Sequence, residues 1–379
     1  MSMIYLNNAA TSYPKAPGVA KAVSEALDRL PGAANRGGIE DFDVLAAVRD
    51  GLSQVSGIDQ PSCIGLGSNA TWGLNVGIHG IGLTEGSIVL ATTAEHNSVY
   101  RPLHALAQKD GIDLHYLPVD GLGRLQIDDW EKAVSRLRPR LCVVTHASNV
   151  TGVLNDIQAL TEIAHRYGSL ILVDLAQSLG CAEVRLCDWD VDMAAFTGHK
   201  YLLGPQGVGG LYVRPGLELD PYLAGGTGIH SDLDTMPPGM PLRLEAGTNN
   251  EPGCYGLLAA LRWSAANPWP TVVQNELREH LIEQLRLLGA RVIAPDGPCT
   301  PVVSFTVEGF SPAYIGETLL DSYDIIVRTG LHCAPRIFGD LGVEPKQGTV
   351  RISLSRFSTA FELEEFTGAL REIIEAGVF

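Results

Sequence analysis

The chain has 379 residues, 45% hydrophobic and 18% charged, with 42 glycines. That is the composition of a folded globular protein of two or three units, and it excludes a disordered or fibrous chain. Lys and Arg number 27 against 43 Asp and Glu, a formal charge of −16, which repels phosphate backbones and offers no polybasic face, so neither nucleic acid nor anionic membrane is an expected partner.

Pro17 opens a stretch in which Val19, Val23, Leu27 and Leu30 recur at helical spacing until Pro31-Gly32 ends it, which predicts one amphipathic helix. Residues 67–71, Gly-Ser-Asn-Ala-Thr, precede Leu74, Val76 and Ile78 and read as a loop feeding a helix N-terminus. Apolar runs at 88–92, 141–145, 170–173, 193–196 and 208–213 alternate with helical patterns such as 157–167. This is the βαβ signature of a mainly parallel, covered sheet. Residues 204–210, Gly-Pro-Gln-Gly-Val-Gly-Gly, are not a dinucleotide loop, because a strand and not a helix follows them. Their glycines are expected to let backbone pass close beneath Lys200. Residues 225–253 are rich in Pro and Gly without periodicity, which predicts an active-site or interface loop.

After Asn267-Pro268-Trp269-Pro270 the pattern restarts with a helix over 272–288, apolar runs at 302–307, 325–327 and 350–354, and a last helix from Thr359, whose spacing to Glu362 makes a capping box. These breaks predict a large domain over 15–266 and a smaller one from 1–14 and 267–379, with a strand at 4–6 joining the latter. No apolar run approaches the roughly 18 residues of a spanning helix. Residues 1–13 have neither a basic start nor a hydrophobic stretch, so a cytoplasmic protein is expected. The seven cysteines are scattered, odd in number and free of any C-x-x-C pair, which argues against a disulfide framework and against a metal site. Cys142, inside the apolar run 141–144, typifies the small buried hydrophobe that free cysteine usually is.

Two charged residues stand directly after apolar runs: Asp174 after 170–173, and Lys200 after 193–196 and Thr197-Gly198-His199. Open α/β sheets bind ligands at the carboxyl edge of their strands, so an acid and an amine are expected to face one pocket. Alone, Asp174 reads more readily as a structural ion pair or a helix cap, and the 67–71 loop alone reads as a cap. In combination, a phosphate seat at a helix N-terminus, a strand-end carboxylate and a strand-end lysine are the three parts that pyridoxal 5′-phosphate requires.

These residues resemble the class V aminotransferase-like pyridoxal phosphate enzymes and, within them, the group II cysteine desulfurases and selenocysteine lyases. The matching stretches run almost end to end: 5–11, 69–71, 95–98, 146–152, 173–177, 197–200, 245–248 and 328–334. The resemblance implies fold type I, with a large domain whose mainly parallel seven-stranded sheet is covered by helices and a smaller α+β C-terminal domain. It implies that Lys200 is the Schiff-base lysine, that Asp174 pairs with the pyridine nitrogen, that Gln177 hydrogen-bonds the ring oxygen and that His96 stacks on the ring and relays protons. Ala70, Thr71, Thr197 and His199 match the phosphate seat. Thr248 matches a residue that reaches the phosphate of a partner subunit, hence a homodimer. Asn149 and Arg351 match the pair that holds the substrate carboxylate, a task suited to the planar guanidinium fork.

Cys333 decides among reactions. It lies in a polar, glycine-containing loop flanked by Arg328 and His332, a setting in which a thiol can be exposed and nearby positive charge can favour its thiolate. With the resemblance, this implies conversion of L-cysteine to alanine with the sulfur left on Cys333 as a persulfide, for delivery to an acceptor protein. L-Selenocysteine as substrate, another C–S lyase, a transaminase or epimerase of the same fold, and a non-enzymatic scaffold are the alternatives. One position departs from the pattern: Leu331 stands where several relatives carry histidine, which removes a possible proton donor beside the thiol.

Overall fold

Every residue of the strand Leu141–Thr145 is buried, and those of Met193–Thr197 and Gly209–Val213 are too. A strand that is apolar on both faces must be covered on both, and the computed structural model, which describes residues 3–29 and 42–377, shows this. The larger sheet has seven strands: β2 (Ile64–Gly67), β3 (Ile88–Thr92), β4 (Asp113–Leu117), β5 (Leu141–Thr145), β6 (Leu170–Asp174), β7 (Met193–Thr197) and β8 (Gly209–Val213). Their order is β2-β8-β7-β6-β5-β3-β4. Only β8 runs against the others. The mainly parallel sheet expected from the alternating pattern is therefore present, with β8 as its antiparallel member.

Alternate residues of each strand feed different cores. Val89, Leu141, Val143, Leu172 and Met193 pack with α3 (Ala70–Gly80) and α4 (Asn97–Asp110). Leu90, Cys142, Val144, Ile171 and Val173 pack with α2 (Val44–Ser56), α5 (Ile127–Leu137), α6 (Ile157–Arg166) and α7 (Glu251–Ala266). Ahead of these helices lie β1 (Ile4–Tyr5) and α1 (Val19–Leu27). The stop expected for α1 at Pro31-Gly32 lies outside the described residues. The Pro/Gly-rich stretch carries no helix or strand until α7 begins at Glu251.

A second core is built by α8 (Thr271–Leu287), β9 (Arg291–Ile293), β10 (Val302–Thr306), α9 (Pro312–Tyr323), β11 (Ile325–Ile326), β12 (Arg328–Gly330), β13 (Thr349–Ser353) and α11 (Ala360–Ala376). Its four-stranded antiparallel sheet has the order β12-β13-β10-β9, and β1 pairs in parallel with β11. The capping box expected at Thr359 and Glu362 is formed. One short element departs from this division. Between β12 and β13, α10 (Ile337–Asp340) and its flanks send Ala334, Ile337, Phe338, Leu341 and Val343 into the core of the larger sheet.

Candidate active site

Because β2, β3, β5, β6 and β7 run the same way, the segments leaving their carboxyl ends converge on one edge of the sheet. There Ala70, Thr71, His96, Asn149, Asp174, Gln177, Thr197, His199 and Lys200 line a single cavity of about 260 Å³, bordered also by Ala9, Asn69, Ser98 and Arg328. Nine of the residues singled out in the sequence thus meet in one place.

Asp174 is buried, and its Oδ1 accepts a hydrogen bond from the Ala176 N–H at 2.8 Å. Burial raises its pKa, against that hydrogen bond and the charge of Lys200. A buried carboxylate in this setting calls for a cationic or N–H partner to keep it ionised. The Lys200 amine is held down to about 8, mainly by burial and also by Arg351 and Arg328, with Asp174 opposing. It is therefore far readier to lose its proton near neutral pH than an ordinary lysine.

His96 combines two roles. It is the N-cap of α4, its Nδ1 accepting from the Ser98 N–H at 3.0 Å, which leaves the ring proton on Nε2. Burial and the charges of Lys200, Arg328 and Arg351 push its pKa down to about 3, so the imidazole is neutral. His199 is likewise held at about 4 by burial and by Lys200 and Lys15, and its Nδ1 lies 3.0 Å from Thr11 Oγ1.

At the start of α3, Asn69 Oδ1 accepts from the Trp72 N–H at 2.9 Å. The first N–H groups of the helix, at Ala70 and Thr71, have no carbonyl of their own helix to meet. Gly209 makes this position possible: a Cβ there would lie 2.6 Å from the Asn69 Cα and 2.5 Å from the Phe196 carbonyl oxygen. Gly209 and Gly210 thus serve close backbone approach, to Asn69, Phe196 and Gly65 and not beneath Lys200 as expected. Thr197 Oγ1 and Gln177 Oε1 are buried without a hydrogen-bond partner, while Gln177 Nε2 donates to the Ala9 carbonyl at 2.9 Å.

Arg351 and Cys333 stand one layer behind the cavity. Arg351 is fully buried on β13, and burial and Arg328 lower its pKa to about 9. Its NH1 donates to the Asn149 carbonyl at 2.9 Å, its NH2 to Asn7 Oδ1 at 3.1 Å, and its Nε has no partner. Asn149 Nδ2 donates in turn to the His332 carbonyl at 2.5 Å, so Asn149 also fastens the loop that carries the cysteine. Arg328, on the cavity wall, donates through NH2 to Cys333 Sγ at 3.0 Å. The Cys333 carbonyl accepts from the Asn97 N–H, in the first turn of α4, at 2.7 Å. His332 and Cys333 both have positive φ, 49° and 62°, a conformation that costs non-glycine residues about 1–3 kcal/mol each. Leu331 packs, partly buried, against the larger core, so the departure from histidine is taken up by packing.

Thr248 is not in this cavity. It is exposed and borders a separate one of about 230 Å³ with Gly67 and Trp72. Arg328, expected from sequence as positive charge beside the thiol, also supplies the contact between cavity and thiol. One contributor was not picked out from sequence. Glu95 is buried beside the end of β5, its Oε1 accepting from Thr92 Oγ1 at 2.6 Å and the Thr145 N–H at 3.1 Å. Burial raises its pKa to about 8, so it stands protonated near Asp174. Only its adjacency to His96 hinted at this.

Comparison with known proteins agrees with the geometry. The family model described as "Aminotransferase class-V" matches residues 4–366. A cysteine desulfurase of Synechococcus elongatus is 36% identical over 301 residues, which are 77% of this chain and 47% of that protein. A probable cysteine desulfurase of Methanothermobacter thermautotrophicus is 30% identical over 394 residues, covering 99% of this chain and 95% of that one. The chain spans about half the length of several curated relatives it matches. Among solved structures, the apo cysteine desulfurase of Thermococcus onnurineus superposes with a TM-score of 0.89 at 31% identity, covering 99% of this chain and 95% of that one. The desulfurase CsdA of Escherichia coli gives a TM-score of 0.87 at 25% identity, with coverage of 99% and 95%. No helix among the described residues is long and apolar enough to cross a membrane.

Proposed function

The chain belongs to the class-V aminotransferase family, and from that premise we propose that it is a pyridoxal phosphate-dependent cysteine desulfurase acting on L-cysteine. The observation that carries this reading is the single guanidinium of Arg328, which borders the Lys200–Asp174 cavity and bonds the Cys333 sulfur at 3.0 Å. A thiol behind the cavity is thereby linked to the wall that the amine and the carboxylate share.

The residues fit the cofactor. A buried carboxylate in need of a partner, an easily deprotonated amine, a helix start with free N–H groups and an unpartnered Thr197 hydroxyl border one small cavity. Asp174 would hold the ring nitrogen, Gln177 the ring oxygen, and Ala70, Thr71, Thr197 and His199 the phosphate. When bound, the group supplies an aldehyde that captures amines and a protonated ring that accepts an electron pair from Cα.

The chain supplies the rest. The Lys200 amine would hold the aldehyde and would take the Cα proton of the substrate, and its lowered pKa suits both tasks. His96, neutral on the cavity wall, would offer the ring a flat, uncharged face. Arg351, with its free Nε and with Asn149 beside it, fixes the substrate carboxylate. Cys333 Sγ attacks the substrate sulfur: the S–S bond forms as the Cβ–S bond breaks, and protonation at carbon yields alanine. The persulfide left on Cys333 passes to an acceptor thiol.

Thr248, exposed and apart from its own chain's cavity, serves the second site of a homodimer in this reading. The test is incubation with L-cysteine while alanine and protein persulfide are followed together. Cys333→Ala should abolish the persulfide and cut alanine release strongly, and undiminished alanine from that variant would overturn the sulfur relay. Running L-selenocysteine in the same assay decides which chalcogen is preferred.

A further inference from the structure

A cavity of about 890 Å³, much larger than the one at Lys200, opens between the two cores. Leu202 and Leu258 form its wall on the larger core, and Asn275, Arg278 and Arg356 its wall on the smaller, with Trp269 of the connecting segment between them.

Arg278 is the anomaly. It is 8% exposed, yet among the described residues its only hydrogen bond is a long one, NH2 to the Pro295 carbonyl at 3.4 Å, and its Nε has no partner there. Among the described residues it forms no ion pair. A buried guanidinium with neither a carboxylate nor a full set of acceptors is costly. Arg356 is bonded only to neutral carbonyls, Asn267 at 2.7 Å and Pro268 at 2.8 Å, and lies over the Trp263 ring at 4.4 Å. The two carboxylates that border the cavity, Glu183 and Glu279, are both exposed at its rim, and Glu183 is already bonded to Arg185. The lining thus mixes apolar side chains with arginines, Arg262 of α7 among them, and the buried charge of Arg278 meets no carboxylate among the described residues.

We propose that this cavity is a binding site for a small organic anion, a carboxylate with an aliphatic or aromatic body. Arg278 and Arg356 take the charged end, while Trp269, Leu258 and Leu202 take the body. The occupant touches both cores and lies behind the Lys200 loop, since Leu202 is two residues from the amine. It is distinct from the substrate site, which has its own arginines and its own cavity.

The test uses the full chain saturated with pyridoxal phosphate and the aromatic sulfonate 8-anilinonaphthalene-1-sulfonate as fluorescent probe. The expected result is saturable binding that octanoate displaces and octylamine does not. Arg278→Met should weaken it at least tenfold. Asn275→Trp, which fills the cavity from an exposed position and leaves the fold untouched, should weaken it at least threefold. If Arg278→Met does not fold, Asn275→Trp carries the test. Absence of saturable binding, equal displacement by octylamine, or binding unchanged by the variants overturns the proposal. None of these readouts depends on turnover of cysteine, so failure here and failure of the proposed reaction are separable.

Discussion

Asp174 and Lys200 stand at or just beyond the carboxyl ends of neighbouring parallel strands, where ladder hydrogen bonds and two packed helix layers fix the backbone. Cys333 has no such support. It sits in a turn between β12 and α10, in a left-handed conformation beside a second residue of the same kind. What holds it is two contacts reaching across to the larger core, Asn97 to its carbonyl and Asn149 to the His332 carbonyl, with a local one from Arg328 of β12 to its sulfur. Beyond the turn, Phe338 and Ile337 are buried in the larger core, and the Asp340 carboxylate accepts from Thr93 Oγ1 at 2.5 Å and the Val119 N–H at 3.1 Å. Arg336 lies over the rings of Tyr116 and Tyr100 at 4.1 and 4.5 Å. The chemical centre is thus a property of the sheet, whereas the placement of the thiol is a property of docking. The two should fail separately.

The sharpest break is at Lys200. Lys200→Ala should lower alanine release from cysteine by roughly 10³-fold or more, the scale of losing both a nucleophile and a general base. A variant within tenfold of the parent would remove the amine from the reaction. Glu95 tests the sheet side without touching the chemistry. Its folded pKa is about 8 against an ordinary 4.5, so the folded state grips this proton more tightly than the unfolded chain does. The associated stability is full below pH 4.5 and is lost as pH rises through 8. Across that interval the parent should lose on the order of a few kcal/mol relative to Glu95→Gln. Denaturant unfolding of both proteins at pH 5 and pH 9 measures the difference, and parallel changes would refute it.

On the docking side, Arg328→Leu should slow persulfide formation by about 10²-fold while pyridoxal phosphate absorption stays within a few nanometres of the parent, because the guanidinium is the link between cavity and sulfur. A matching loss of cofactor binding would mean that Arg328 holds the cofactor and not the sulfur. The smallest effect is expected at Asp340→Asn, which keeps the shape of the anchor and weakens its charge-assisted hydrogen bonds. Persulfide formation should fall by roughly tenfold or less, with the alkylation rate of Cys333 falling in step. An unchanged alkylation rate would show that the turn holds itself.

Most of the fold was legible because its signals are local. Apolar runs buried on both faces, the capping box at Thr359 and the breaks at Asn267-Pro268-Trp269-Pro270 each declare themselves within a few residues. The edge strand Asp113–Leu117 escaped notice because Asp113 and His115 interrupt its apolar pattern, as a half-exposed edge permits. Most residues of the cofactor-type pocket were legible for a general reason: His96, Asn149, Asp174, Gln177, Thr197, His199 and Lys200 follow predicted strands, and parallel strands bring their carboxyl ends to one edge, whereas Ala70 and Thr71 were read from the loop at 67–71.

By itself, then, the amino-acid order determined which side chains would share that edge, and with it the Asp174–Lys200 pair. It could not determine that Arg328 reaches the Cys333 sulfur, that a buried Glu95 keeps its proton, or that Arg278 faces a large cavity without a counter-charge. Those depend on desolvation and on contacts between residues far apart in the chain, and such quantities exist only once the two cores have packed against each other.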